Sequence, residues 1–546
     1  MTDARLRIAA MGLALAAAVT GQGPLTVAEA TKFEATSRHA DVMAFITELT
    51  RSSEKIRVET MARTSEGKDV PLLVLGDPVP SSPEDLRGDD RAVVYFQANI
   101  HAGEVEGKEA AQMLARDILR GATRDYLDRL VILIAPNFNP DGNDKIDVAN
   151  RPNQHGPVRG VGVRHNGVHL DLNRDGMKLE SPEVRGLVKN VLGRWDPVFF
   201  LDSHTHNGSY HREPVTWTWG LNPNGDRQLI DYMARDVLPA VTRRMTDDHG
   251  TMTIPHGDFV DPGDPAKGWV PLGPQPRYLS NYVGLRNRLS VLNEQYPYVG
   301  FEERVMGAYH LFIAFLDFLH ERRDEVVALT RDADRRTVER GREVGSANLF
   351  ATAFGREAVD AKLTIHGWEM ERVEDGRGRR RWRPTDKEAS WSGVPYLARY
   401  TAARSVRRPR GYLVAVPDAR VEDLLLNHGV VVERLVEPAT LTVEQFGVTS
   451  VSPSRRLNQG HYTSSVEGEY STVERAFPAG TLWVPSAQPL GHVVASLLEP
   501  ESDDGMVVWN FFDRYLAAQW GRAPQTYPVY KVFAPANLRS EPLSGR

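Results

Sequence analysis

Between residues 31 and about 340, apolar runs of strand length alternate with stretches whose apolar residues recur every three or four positions. That alternation predicts an α/β unit, a sheet covered by helices. Val42, Phe45, Ile46 and Leu49 share one helical face. Ala110, Ala111, Leu114 and Ile118 share another within a helix predicted over 109–120, which Gly121 stops. Strands are predicted over 92–98, 130–135, 198–201 and 289–292, and a longer helix over 305–319 with Tyr309, Phe312, Ile313 and Leu316 in its apolar stripe. The charged continuation of that helix through Arg340 reads as a solvated linker. Beyond about Gly345 the pattern changes to short β-rich runs, such as 411–416 and 430–435, punctuated by Pro and Gly. No internal repeat is visible.

A chain of 546 residues exceeds what one hydrophobic core organises, so two folded units are expected, over 31–340 and 345–546. Residues 1–30 read as a signal peptide: Arg5 and Arg7 precede the apolar run 8–19, which is too short and too Ala-rich to span a bilayer. Ala28-Glu29-Ala30 offers a cleavage point and Ala16-Ala17-Ala18 an alternative, and the mature chain is expected to be secreted or periplasmic. No later segment is apolar enough to span, so no membrane partner is expected after removal. A net charge of -6 gives no reason to expect nucleic acid. The basic run 377–383 has Glu371, Glu374 and Asp375 beside it and reads as a solvated hairpin. The absence of cysteine leaves only histidine and carboxylates for any metal site.

The chemistry concentrates where apolar runs end. Asn99-Ile100-His101-Ala102-Gly103-Glu104 follows the first of the predicted strands, and a His and Glu three apart on a tight turn can both reach one Zn²⁺. The run ending Asp202-Ser203-His204-Thr205-His206 could deliver a third ligand, from His204 or from His206, which face the same way in an extended segment. Between them lies Asp171-Leu172-Asn173-Arg174, and after them a strand ends in Asn293-Glu294.

In motif type and chain order these segments resemble the zinc carboxypeptidase family. The resemblance implies one Zn²⁺ per chain on His101, Glu104 and His204, with Glu294 as the catalytic carboxylate that moves the proton of the attacking water. It implies that Asn173 and Arg174 bind the terminal carboxylate of a peptide substrate, a task suited to the planar fork of Arg. Asp171 aligns with a carboxylate that orients a zinc-bound imidazole. Arg164, with Arg151 as competitor, aligns with the group that stabilises the oxyanion. Asn137-Phe138-Asn139-Pro140-Asp141-Gly142 and the helix opening Ser181-Pro182-Glu183 resemble further family segments. The family's mobile tyrosine has two candidates, Tyr278 and Tyr282. His165, His169 and His211 read as surface or supporting residues. The expected fold is therefore a zinc-carboxypeptidase-like mixed sheet covered by helices, followed by the β-rich domain. The expected reaction is metal-dependent removal of C-terminal residues from peptides with a free carboxylate. The alternatives are an amidase acting on cell-wall peptides or acylated amino acids, and a peptide-binding relative without catalysis.

Overall fold

The computed structural model describes residues 23–516 and 526–543, apart from positions 207, 375, 377 and 379. The apolar run 8–19 and Ala16-Ala17-Ala18 lie outside the described residues. Ala28-Glu29-Ala30 lies within them, in a capped helical turn over Val27–Ala30. Ala28 is fully buried there and Glu29 pairs with Arg116 at 2.7 Å, so this turn packs into the molecule. No helix of the described residues is long and apolar enough to cross a membrane.

The first half is built on β1 (Ile56–Arg63), β2 (Asp69–Leu75), β3 (Ala92–Ala98), β4 (Leu130–Ala135), β5 (Phe199–Thr205), β6 (Val215–Trp219), β7 (Thr253–Pro255) and β8 (Leu289–Gln295). They form one mixed sheet in the order β1-β2-β4-β3-β5-β8-β6-β7. Strands β4, β3, β5 and β8 run parallel at its centre. Both faces of these strands are buried, hence their nearly continuous apolar runs. Alternate residues point to opposite sides. Val94, Phe96, Leu201 and Val291 pack beneath α1 (His39–Ser52), α2 (Glu106–Leu119) and the long α3 (Phe301–Glu321). Val93, Tyr95, Leu133 and Phe200 form the other core.

Three expectations change. Helix α2 begins at Glu106, earlier than its apolar spacing implies, because its polar first turn is buried and paired: Lys108 Nζ donates to Asn143 Oδ1 at 2.6 Å, and Glu109 accepts from Thr36 and Ser37. Strands β5 and β8 run past their apolar segments, which places His204 and Glu294 inside the strands. The expected linker is instead a helix, α4 (Arg323–Arg342), whose buried face is made of Val326, Thr330, Ala333, Thr337 and Gly341. Small residues at helical spacing carry little apolar weight, so the stripe is hidden among charges. Gly341 is required by close approach, since a Cβ there would meet the Ser486 carbonyl oxygen at 2.3 Å.

The second half is β-rich. Long antiparallel hairpins pair Lys362–Glu374 with Arg380–Pro395 and Ala439–Pro453 with Ser464–Phe477. The second hairpin belongs to a seven-stranded sheet. Tyr412, Val484, Leu497 and Trp509 from this half join the same core as Tyr95 and Phe200. The two halves therefore share apolar burial rather than merely touching.

Candidate active site

The chain leaves β3 toward β4 on one side and returns to β5 on the other. At the carboxyl ends of strands, such a reversal opens a crevice between β3 and β5. His101 follows β3 after Asn99, which takes the left-handed conformation (φ 65°) and turns the chain. Asn99 Nδ2 is fixed by Asn137 Oδ1 (2.8 Å) and Asn143 Oδ1 (3.0 Å). Asn139 caps a short helix over Pro140–Asn143, so the segment after β4 supports the turn that presents His101.

His101, Glu104 and His204 meet in this crevice, all buried, and are the three-residue group among the described residues whose donor atoms could hold a metal ion. The His101 and His204 Nδ1 atoms lie 3.1 Å apart, and Glu104 Oε2 is 3.2 Å from the first and 3.1 Å from the second. The other nitrogen of each ring faces a carboxylate. His101 Nε2 is 2.9 Å from Asp171 Oδ1, and His204 Nε2 is 2.8 Å from Asp202 Oδ2. Imidazoles held this way turn Nδ1 toward the shared point, the arrangement expected of zinc ligands oriented from behind. Two nitrogens and one carboxylate oxygen converging in a buried space fit a divalent zinc ion.

The electrostatics follow from burial and pairing. Burial opposes ionisation of Glu104, but His101 and Arg151 outweigh it and hold the carboxyl well below its usual range. Burial likewise opposes the Asp171 charge, and His101, Arg164 and Arg174 overcome it. Burial pushes the Glu294 carboxyl above its ordinary range, against the pull of His204. Glu294 sits beside His204 in the parallel register of β8 and β5, and its Oε2 is buried without a hydrogen-bond partner. A carboxyl with raised proton affinity and a spare oxygen is suited to proton transfer.

The surrounding cavity, about 170 Å³, is lined by the three metal-site residues, Arg164, Asn173, Arg174, Glu294 and the apolar Leu272 and Leu292. Arg164 is 37% exposed toward it while its Nε pairs with Asp171 at 2.9 Å. Arg151 is turned away, with Nη1 on Glu104 (2.9 Å) and Nη2 on the Thr205 carbonyl (2.9 Å). Asn173 accepts the Leu279 N–H at 2.9 Å, and the Arg174 guanidinium lies 4.5 Å over the Tyr278 ring. Tyr282 is fully buried, with its hydroxyl 2.7 Å from His428 Nδ1, and does not reach the cavity. His206 lines the cavity but stands outside the three-residue group, with its ring 5.0 Å from His256 and 5.7 Å from His211. Of the two readings of His211, surface or supporting, burial leaves the second: it is fully buried 4.3 Å from the Tyr296 ring. His165 is half-buried and His169 exposed.

Sequence reasoning missed Asp202 and Glu106. Asp202 had a signal, because residues two apart on a strand share a face, so the carboxylate that faces His204 was implied by β5 itself. Glu106 had none. It accepts from Thr205 Oγ1 at 2.5 Å and pairs with Arg304 from α3, a contact across 198 residues.

Residues 42–205 match the family model described as zinc carboxypeptidase. The match takes in His101, Glu104, Asp171, Asn173, Arg174 and His204, and ends before Glu294. The chain is similar to carboxypeptidase 2 of Trichophyton rubrum, 21% identical over 511 residues that span 88% of this chain and 86% of that protein. Carboxypeptidase 2 of Trichophyton tonsurans is 22% identical, over 86% of this chain and 81% of its own length. Among solved structures, a Burkholderia cenocepacia metallo-carboxypeptidase aligns with 52% of this chain and 68% of its own, at 20% identity and TM-score 0.38. Carboxypeptidase A of Helicoverpa armigera aligns with 60% and 80%, at 16% identity and TM-score 0.40. The match to the zinc carboxypeptidase model, over residues 42–205, thus falls on the residues that the fold gathers around one point.

Proposed function

We propose that this protein is a zinc-dependent exopeptidase that removes residues from peptides bearing a free C-terminal carboxylate. The convergence of His101 Nδ1, His204 Nδ1 and Glu104 Oε2, each imidazole faced from behind by a carboxylate, carries the reading. His101, Glu104 and His204 would hold one zinc ion, which when bound polarises the scissile carbonyl and lowers the pKa of water. Glu294 takes the proton of the attacking water and passes it to the leaving amine. Arg164, rather than Arg151, faces the charge that develops on the carbonyl oxygen, because it lines the cavity while Arg151 is spent on Glu104 and Thr205. Asn173 and Arg174 bind the terminal carboxylate, and the stack on Tyr278 limits the freedom of the guanidinium. Leu272 and Leu292 give the terminal side chain an apolar surface, which favours apolar over charged residues at that position. Residues 31–340 act as the catalytic unit and residues 345–546 as a second unit, in a chain exported after loss of its N-terminal segment.

The test is incubation of the purified protein with a mixed peptide library, with and without chelator, and mass spectrometry of the products. Stepwise loss of C-terminal residues, abolished by chelator and absent from amidated peptides, supports the reading. Equal cleavage of amidated peptides points instead to the amidase alternative.

A further inference from the structure

The segments that carry the carboxylate-binding groups, 171–178 and 275–282, are joined to each other by the Gly176 N–H on the Arg277 carbonyl (3.1 Å) and the Leu279 N–H on Asn173 Oδ1 (2.9 Å). Gly176 permits that approach, since a Cβ there would lie 2.7 Å from the Pro276 carbonyl oxygen. Both segments are then held from the β-rich half. Asp504, fully buried, accepts the Arg277 backbone N–H (2.8 Å) and Nε (3.0 Å) on Oδ2, with Arg277 Nη2 2.9 Å from Oδ1. The Trp509 ring lies 5.4 Å from the same guanidinium and 5.7 Å from Lys178. His428 bridges the Tyr282 hydroxyl and the Met177 carbonyl, at 2.7 and 3.0 Å. Gln459 Oε1 accepts the backbone N–H of Asp171 at 2.7 Å, and His461 meets Glu180 at 2.7 Å.

A buried carboxylate that binds both the main chain and the guanidinium of one residue fixes the path of that residue closely, because charge-assisted bonds at several atoms leave little angular freedom. The residue after Arg277 is Tyr278, on whose ring Arg174 rests. We propose that the β-rich half is a brace for the substrate-carboxylate clamp, and that Asp504 is a positioning residue that sets Arg174 through Arg277 and Tyr278. The inference rests on the exopeptidase reading and adds to it a role for residues 345–546: they fix how well the free carboxylate is recognised, without touching the reacting atoms.

The test compares wild type, Asp504→Asn and Tyr278→Ala on one peptide as free acid and as amide, with Arg539→Ala on an exposed edge of the second half as control. Both variants are expected to raise KM for the free acid about 10-fold, leave kcat within about 3-fold and narrow the preference for free acid over amide. Zinc content and kcat report whether the metal site is intact, so a uniformly damaged enzyme, with kcat and zinc falling together, overturns the proposal in favour of a purely structural role. If Asp504→Asn does not fold, Arg277→Lys decides, since it keeps a cation beside Asp504 but loses the forked contact at a partly buried position. A wild type that prefers free acids and variants that keep its KM and preference overturn the brace while the exopeptidase reading stands. A wild type without any preference overturns that reading and the brace with it.

Discussion

The central sheet and the hairpin over 362–395 treat the same secondary structure in opposite ways. Strands β3, β4 and β5 are buried at every position, whereas Arg380–Pro395 is exposed or half-buried along most of its length. In the first region polar residues are rare and each is costly to bury, so those present are paired or aimed at the cavity. In the second, polar residues face water and their ion pairs contribute little. A polar residue therefore carries information in proportion to the apolar surface around it. His204 and Glu294 stand out because they interrupt buried strands, while Glu371 and Arg383 form an ion pair that reports only a solvated surface.

Substitutions sharpen that contrast. The largest effect is expected from Glu294→Gln, which keeps the shape and removes the proposed base. Its kcat should fall on the order of 10² to 10⁴ with zinc and peptide binding retained, as steady-state rates and metal analysis would show. Next comes His204→Ala, expected to lose the bound zinc, against His206→Ala, expected to keep one ion per chain. Zinc kept in His204→Ala and lost in His206→Ala would move the site to the His206 ring. Arg174→Ala should raise KM for free-acid peptides about 10- to 100-fold and leave amidated peptides unaffected, read from kinetics on matched pairs.

A smaller effect, on stability alone, is expected at Glu183, the first-turn residue of the Ser-Pro-Glu helix. Burial pushes its carboxyl up to about 7, and Oε1 has no hydrogen-bond partner. A carboxyl raised in the folded state binds its proton more tightly there than in the unfolded chain, so its contribution is full below pH 4.5 and is lost as pH rises toward 7. Glu183→Gln should remove that loss, on the order of 2–3 kcal/mol at pH 8, in denaturant titrations across pH. The smallest effect is expected from Arg383→Ala on the exposed hairpin, within about 0.5 kcal/mol by the same titration. A large loss there would mean that the hairpin is not the solvated surface it resembles.

The sequence by itself determined the strands over 92–98 and 130–135, the apolar face of α1 and the order of the metal-site motifs. These follow from periodicity and from residue types that have few bland uses in an apolar setting. It favoured His204 over His206 and Arg164 over Arg151 by their place in the motifs, and left Tyr278 and Tyr282 level. Only the tertiary structure shows what each of them meets, since side chains of one type differ in their surroundings. Arg151 is consumed by Glu104 and the Thr205 carbonyl and the Tyr282 hydroxyl by His428 from 146 residues away, while the His206 ring lies among His211 and His256. Helix α4 was hidden for a related reason: its buried face is mostly small residues, and the partner that Gly341 meets, Ser486, is named by no local pattern. Local periodicity is written along the chain, but the pairing of distant buried groups is settled only when the two cores close over both halves at once.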